Sequence, residues 1–130
     1  MRIVGVAFIL LILTGCIPRY ATTRPHLEVD VRDPQGEPIP TAVMQFVTFT
    51  SHGLPSEEKF VADEQGHIAV ARKSEWSPLA FFIHGMVFYH WQWCINAPGF
   101  SAAKGTPQML DKPIILQRSA SPTICNEFAK

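Results

Sequence analysis

Short stretches in which hydrophobic and polar residues alternate recur along the chain from residue 27 onward. In residues 27–33, Leu27, Val29 and Val31 alternate with charged residues, which predicts a strand with one buried and one solvated face. Similar alternation, or enrichment in β-branched and aromatic residues, predicts further strands at residues 41–49, 59–62, 67–72, 79–83, 86–95 and 112–117. No stretch of about eleven residues or more has a helical period, so the chain is predicted to be all-β.

Glycine and proline separate the predicted strands. Gly36 and Gly66 each close a short polar stretch, which predicts two tight, hairpin-like turns. Pro38 and Pro40 exclude a regular helix and indicate a stiff crossover between sheets. About seven short strands joined by such turns predict a single antiparallel β-sandwich.

The side of each strand that faces the core follows from the parity of its apolar residues. The core is predicted to contain Val31, Met44, Phe46, Ile68, Val70, Tyr89, Trp91, Trp93, Ile95 and Leu116. On the opposite parity of residues 86–95, Phe88 and His90 are predicted to face outward and are the candidate binding residues. An outward ring such as that of Phe88 could stack on a sugar or on a partner protein. The alternative is that the C-terminal tail covers this face.

The N-terminal residues have a different pattern. Arg2 precedes an apolar run at residues 3–13, and small residues follow it, which is typical of an export signal. The run covers about eleven residues, whereas a membrane-spanning helix needs about 20, which argues against a transmembrane helix. An ordinary secretory signal remains an alternative, although an Ala-x-Ala-like cleavage motif is absent.

Residues 13–16, Leu-Thr-Gly-Cys, resemble the lipobox of bacterial lipoproteins. The resemblance implies that residues 1–15 are a signal peptide, removed before Cys16. Cys16 would then be the lipidated first residue and carry covalent diacylglycerol and acyl lipid. Ile17 stands where an aspartate would favour the inner membrane, so the resemblance implies an outer-membrane lipoprotein of the cell envelope. The domain is expected to face the periplasm, and exposure at the cell surface is the alternative. Residues 16–26 are expected to be the lipidated N-terminus and a linker.

Charge and length narrow the classes of partner. Arg2 leaves with the signal peptide, so ten of the 11 Lys and Arg residues remain against 11 Asp and Glu residues. A chain so close to neutrality has no electrostatic attraction for nucleic acid, and none is expected as a partner. The expected partners are the membrane, through the lipid anchor, and another envelope protein. The remaining length suits one domain and is too short for two.

Two cysteines remain once Cys16 is acylated. In an oxidising compartment, Cys94 and Cys125 are expected to form a disulfide. This bond would pin residues 119–130, the C-terminal tail, across the outer face of the strand that contains Cys94. Two unpaired thiols are the alternative. A zinc site is not predicted, because such a site needs about four ligands and no suitable spacing of cysteine or histidine occurs.

The remaining titratable residues form no catalytic pattern. His67, His84 and His90 could share a metal ion, but no carboxylate lies in a motif that would orient them, so ordinary polar positions are favoured. The turn at residues 63–66 lacks the spaced acidic residues of a calcium loop. There is no Gly-x-Ser-x-Gly motif for a serine nucleophile. The prediction is no catalytic residue, no metal, no cofactor beyond the lipid, and no enzymatic activity.

Four short motifs together resemble the carboxypeptidase regulatory-like domains, a family of transthyretin-like sandwiches. They are Val29-x-Val31-x-Asp33-x-x-Gly36-x-Pro38-Ile39-Pro40-x-Ala42, Ala62-Asp63-x-x-Gly66-x-Ile68, Ile95-x-Ala97-x-Gly99-Phe100 and Ile114-x-Leu116. The resemblance implies a transthyretin-like sandwich at residues 27–118.

Two related enzyme types do not match. Hydroxyisourate hydrolases end in a Tyr-Arg-Gly-Ser tail, which is absent here. Intradiol dioxygenases bind iron through paired tyrosines. Here Tyr20 falls in the predicted linker, so Tyr89 is the one tyrosine left in the predicted domain.

The sequence therefore predicts a non-catalytic envelope lipoprotein that acts as a membrane-tethered binding or scaffold module. Lipid on Cys16 would confine the domain to a surface and raise its effective concentration for a neighbour. Two alternatives stay open. One is a lipoprotein subunit of a secretion or conjugation apparatus, by analogy with transthyretin-like lipoproteins found there. The other is an inhibitor of a cell-wall-degrading enzyme, in which the loop at residues 51–56 would enter the cleft of the enzyme.

Overall fold

A computed structural model describes residues 16–51, 53–80 and 87–125 of the 130-residue chain. These residues form one 3-10 turn (Pro107–Met109) and nine strands: β1 (Cys16–Arg24), β2 (Leu27–Arg32), β3 (Val43–Thr50), β4 (Ser56–Val61), β5 (His67–Val70), β6 (Lys73–Ala80), β7 (Tyr89–Asn96), β8 (Ala103–Gly105) and β9 (Ile114–Ile115). The all-β prediction is therefore confirmed. No helix in these ranges is long and apolar enough to cross a membrane. The predicted signal peptide at residues 1–15 and the candidate ligand His84 lie outside the described residues.

The strands form two larger sheets and one ribbon. β5-β2-β9 is a three-stranded sheet, β4-β3-β7-β8 is a four-stranded sheet, and β1 pairs with β6 alone. The pairs of described strands are antiparallel, with the exception of β2 and β9, which run parallel with Val31 opposite Ile114. The prediction of a purely antiparallel arrangement is wrong at β9. The chain arrives there from β8, in the other sheet, so no hairpin dictates the direction of β9.

Both larger sheets contribute side chains to one hydrophobic cluster. The buried members from β2, β3, β5 and β7 are Val29, Val31, Met44, Phe46, Ile68, Val70, Trp93 and Ile95, and Leu116 joins them. Among the predicted core residues, Tyr89 and Trp91 are the two that are only half-buried. Burial of apolar side chains is the main favourable term in folding, so this shared cluster is the core of the protein.

Two turns of the same type follow β2 and β4. In each, an aspartate side chain, Asp33 or Asp63, accepts hydrogen bonds from the backbone N–H groups two and four residues later at 2.9–3.0 Å. The N–H of the glycine, Gly36 or Gly66, donates to the aspartate carbonyl oxygen at 2.9 Å. Both glycines have positive φ, at 86° and 73°. The predicted tight turns are therefore confirmed as local structures.

The turn at Gly66 does not close a hairpin, and that part of the prediction is wrong. β4 before the turn pairs with β3, whereas β5 after it pairs with β2, so the chain passes from one sheet to the other. The turn instead packs against β2, where the Val31 N–H donates to the Gly66 carbonyl oxygen at 2.8 Å. A Cβ at Gly66 would lie 2.6 Å from the Val31 carbonyl oxygen, so this contact requires glycine.

The residues expected to form a linker make β1, one strand of the ribbon. β1 pairs with β6 from Cys16 opposite Ala80 to Arg24 opposite Lys73, with a register shift near Thr22. Pro18 and Pro78 are opposite each other in this ribbon. Proline has no backbone N–H to donate within a sheet, so in a sequence it normally indicates that a strand is interrupted. In a two-stranded ribbon, however, each strand has one outer edge on which no N–H donor is needed. For this reason the local pattern did not reveal the strand.

Candidate functional site

The two candidate binding residues lie at the start of β7. Phe88 precedes the strand and is 63% exposed, and His90 within it is also exposed. The Phe88 N–H donates to Ser51 Oγ at 3.2 Å, and the Ser51 N–H donates to the Phe88 carbonyl oxygen at 3.2 Å. The His90 ring lies 6.1 Å from the ring of Phe49. Phe88 is therefore held by its backbone while its ring stays accessible to a partner.

A second exposed apolar side chain, Leu54, lies in the loop between β3 and β4. This loop is tied to Phe88 through the paired hydrogen bonds of Ser51. Leu54 is 91% exposed, more than any other large hydrophobic side chain of the described residues. Sequence reasoning singled out the loop at residues 51–56 but not this residue within it. The signal available in the sequence was its position between Gly53 and Pro55, at the tip of a turn.

A polar cleft of about 290 Å³ lies between the ribbon and the four-stranded sheet. Its lining residues come from the ribbon, from β3, β4 and β7, and from the loop after β3; they are Thr23, Arg24, Thr48, Thr50, Leu54, Ser56, Glu58, Lys73, Glu75 and Tyr89. Ligand pockets start at roughly 300 Å³, so the cleft suits one small group. Sequence reasoning missed it because one wall belongs to residues that were expected to be a linker.

The charges in the cleft compensate one another. Arg24 Nη1 lies 2.5 Å from Glu58 Oε1, and Lys73 Nζ lies 2.7 Å from Glu75 Oε1. The hydrogen bond and charge of Glu75 raise the pKa of Lys73 above its usual value, so the ammonium stays protonated. The cleft thus presents paired charges, hydroxyl groups and the Tyr89 ring. Such a surface suits a neutral polar group better than an ion.

Arg24 also fastens the ribbon to the rest of the domain. Its Nε donates to the Ala71 carbonyl oxygen at 2.8 Å, and its guanidinium lies 5.5 Å from the centroid of the Phe60 ring. Next to it, Trp91 Nε1 donates to the Thr23 carbonyl oxygen at 3.0 Å. These contacts join the base of the ribbon to β4 and β7. The wall of the cleft is therefore a fixed part of the domain.

His67 and His90, two of the three histidines weighed as metal ligands, are not brought together by the described structure. His67 lies in β5 and His90 in β7, which belong to different sheets. Within residues 16–51, 53–80 and 87–125, no group of three His, Cys, Asp or Glu side chains is placed to hold a metal ion. His67 Nδ1 instead pairs with Asp30 Oδ1 at 2.9 Å. This hydrogen bond raises the pKa of His67, against a smaller opposing effect of desolvation.

Cys94 and Cys125 form a disulfide with a Cα–Cα distance of 5.8 Å. The described part of the tail follows residues 99–102, where the Ala102 N–H donates to both the carbonyl oxygen and Oγ1 of Thr123. Cys94 is on the outward parity of β7, yet it is only 2% exposed. The tail therefore folds back as expected and covers Cys94. It leaves Phe88 and His90 uncovered, and residues 126–130 lie outside the described part of the chain.

Asp33 is a buried carboxylate that joins the first turn to Arg118, the residue just before the tail. Its Oδ2 accepts a hydrogen bond from Arg118 Nη2 at 3.2 Å, and the Arg118 guanidinium lies 5.4 Å from the centroid of the Phe100 ring. Burial acts to raise the pKa of Asp33. Hydrogen bonds from the Glu37 N–H, from Arg118 and from the Gln35 N–H outweigh burial and lower the pKa. The carboxylate of Asp33 thus holds the first turn together and ties it to Arg118.

Comparison of the chain with protein-family models, with curated proteins and with solved structures gave no match. The resemblances of residues 13–16 to a lipobox and of residues 27–118 to a transthyretin-like domain therefore stay predictions. What the protein does has to be inferred from its own residues, namely the cysteines, the exposed apolar side chains and the polar cleft.

Proposed function

We propose that this protein is a non-catalytic lipoprotein of the bacterial cell envelope, held at the outer membrane by lipid on Cys16. The observation that carries the proposal is how the cysteines are used. The chain has three cysteines, and Cys94 and Cys125 are joined to each other. Cys16 is thus left outside the disulfide, and it is the residue that the lipobox-like motif would lipidate. A disulfide also suits the oxidising compartment to which a lipoprotein is exported.

The proposed tethered unit is one transthyretin-like β-sandwich at residues 27–118. Two features support this architecture. The three-stranded and four-stranded sheets share a single hydrophobic cluster, as the inner faces of a sandwich do. The two turns that follow β2 and β4 have the aspartate and glycine positions of the resemblance.

The proposed role is to bind or position another envelope protein. Leu54 and Phe88 are large, exposed apolar side chains, and the hydrogen bonds between Ser51 and Phe88 tie the loop that contains Leu54 to the start of β7. Exposed apolar side chains of this size favour contact with a partner. Tethering by lipid would raise the effective concentration of this surface for a neighbour in the same membrane. The exposure of Leu54 at a loop tip also favours, as a second candidate, insertion of this loop into the cleft of a cell-wall-degrading enzyme.

The first experiment is crosslinking in intact cells followed by mass spectrometry, with the wild type beside Cys16→Ala. A dominant protein partner that is lost in Cys16→Ala is the expected result and would name the machine in which the protein works. Incorporation of an alkyne-labelled fatty acid into the wild type, and not into the variant, is the parallel measurement of lipidation. An unlabelled Cys16 would contradict the lipoprotein assignment.

The binding surface is tested in the same cells with two matched substitutions. Phe88→Ser alters the proposed surface, whereas Met109→Ser alters a side chain of equal exposure elsewhere, since the two are 63% and 62% exposed. Crosslinking to the partner should fall several-fold for Phe88→Ser and stay unchanged for Met109→Ser. An equal effect of both substitutions would show that the partner binds elsewhere.

A further inference from the structure

The β1–β6 ribbon changes in chemical character along its length. At one end, the register pairs are Cys16 with Ala80, Ile17 with Leu79 and Pro18 with Pro78. Next come Arg19 opposite Ser77, and the aromatic pair of Tyr20 opposite Trp76. Towards the domain the pairs become polar, ending with Arg24 opposite Lys73. From tip to base the ribbon therefore has apolar residue pairs, one polar pair, the aromatic pair and a largely polar base.

The aromatic pair is exposed to an unusual degree. Tyr20 is 60% and Trp76 is 70% exposed, although their rings contact each other with centroids 5.2 Å apart. Within the described part of the chain no strand or loop pairs with the outer edge of either β1 or β6. Tyrosine and tryptophan are the residues enriched at the interface between lipid and water, where one end of the ring is apolar and the other is hydrated.

The distances along the ribbon agree with a membrane interface. A strand rises about 3.3 Å per residue, so Tyr20 lies about 13 Å from Cys16 along β1. The headgroup layer on each side of a bilayer is roughly 5–8 Å thick, and a tilted ribbon would bring both rings into it. The ribbon cannot continue into the hydrocarbon region, because its open edges would leave backbone groups without hydrogen bonds there.

The base of the ribbon is fixed to the domain. Trp91 Nε1 donates to the Thr23 carbonyl oxygen, and Arg24 contacts Glu58, Ala71 and Phe60. Any orientation that the ribbon takes at a surface is therefore passed to the whole domain.

We propose that the β1–β6 ribbon docks on the phospholipid bilayer, with Tyr20 and Trp76 in the headgroup layer. This inference rests on the proposed lipidation of Cys16, which would place the apolar end of the ribbon at the membrane. The lipid would supply most of the affinity. The aromatic pair would fix the orientation of the domain, so that the cleft and Phe88 face a defined direction above the membrane.

The test uses the lipidated mature protein, which begins at Cys16, in vesicles of phosphatidylethanolamine and phosphatidylglycerol, with and without bromine-labelled phospholipid. Bromine quenches tryptophan fluorescence only at short range. Trp76 is one of three tryptophans, so quenching of up to one third of the emission is expected in the wild type. Trp76→Leu should remove this fraction, because Trp91 and Trp93 are partly or fully buried. Lipids brominated near the headgroup should quench more than lipids brominated near the chain ends.

The control outcomes separate this inference from the proposed function. If Cys16 incorporates the labelled fatty acid but Trp76 is not quenched, the ribbon does not dock, and the lipoprotein proposal stands. If Cys16 is not lipidated, both fail. If Trp76 is unquenched and the wild type sediments as a dimer while Trp76→Leu does not, a second copy of the chain covers the aromatic pair, and membrane docking is overturned. Met109→Ser, an exposed residue outside the ribbon, should leave quenching unchanged.

Discussion

Gly36 and Gly66 occupy the same position in two turns of one type, but their surroundings differ. Both have positive φ, which costs an L-residue about 1–2 kcal/mol. A Cβ at Gly36 would meet nothing within 4 Å, whereas one at Gly66 would lie 2.6 Å from the Val31 carbonyl oxygen. Gly66 is therefore the residue that allows the turn after β4 to reach β2, the central strand of the other sheet.

Replacing each glycine by alanine should separate the cost of positive φ from the cost of the close contact with Val31. Gly36→Ala is expected to lower the free energy of unfolding by about 1 kcal/mol through its φ alone. Gly66→Ala should lower it by about 3 kcal/mol or more, because the methyl group also forces the turn away from β2. Urea denaturation of both variants measures the difference. Equal losses would contradict the close approach of the turn to Val31.

The pair formed by His67 and Asp30 should make stability depend on pH. The hydrogen bond to Asp30 raises the pKa of His67 above its model-peptide value of 6.5. Because the folded pKa is the higher one, the stabilisation is complete below the unfolded pKa and is lost as the pH rises through the folded pKa. The difference in unfolding free energy between the wild type and His67→Gln should therefore shrink from about pH 5 to about pH 9. Asp30→Asn should remove most of this pH dependence; a difference that grows with pH would refute the assignment.

At the scale of the elements, the tail is held to β7 by the disulfide. Cys94 and Cys125 are 31 residues apart, and a bond that closes a loop of this length stabilises by about 3–4 kcal/mol through the unfolded chain. The double variant with serine at both positions should have a free energy of unfolding that is lower by this amount, as measured by chemical denaturation. Dithiothreitol should lower the stability of the wild type to that of the variant and leave the variant unchanged. Two thiols that alkylate without reduction would disprove the bond.

The ribbon depends on the hydrogen bond from Trp91 at its base. Trp91→Phe keeps a ring in place and removes the donor to the Thr23 carbonyl oxygen, at an expected loss of about 1 kcal/mol. Hydrogen exchange of the β1 and β6 amides should become faster. Trp93→Phe is the matched control, because it removes a similar bond to the Thr106 carbonyl oxygen at 2.7 Å, remote from the ribbon. Unchanged exchange in the ribbon of Trp91→Phe would mean that other contacts hold it.

At the scale of the whole molecule, the shared core couples the two larger sheets. Met44 in β3 is fully buried, and truncation of a buried methionine to alanine costs about 2–5 kcal/mol. If the core acts as one unit, Met44→Ala should lower the opening free energies of the β5 amides and of the β3 amides by equal amounts, although β5 lies in the other sheet. Amide hydrogen exchange measures both. A loss confined to the four-stranded sheet would show that the sheets unfold separately.

Several features follow from the sequence by local rules alone. The period of two along β2 and β5 identifies which side chains are buried, because a strand exposes alternate residues to opposite faces. The polar stretches that end in Gly36 and Gly66 identify turns, because glycine takes positive φ without strain. The count of cysteines, together with the motif at Cys16, anticipates the bond between Cys94 and Cys125. Each inference needs only neighbouring residues or a count.

Other features were decided by the tertiary structure. β4 and β5 follow each other along the chain but lie in different sheets. β9 pairs with β2, and β1 pairs with β6, although the paired segments are distant in sequence. Any exposed edge of suitable length offers the same backbone groups, so the choice of partner depends on competition between whole arrangements and on the core that each would bury. The cleft beside Arg24 and the ribbon that carries Tyr20 and Trp76 exist only as a result of that choice.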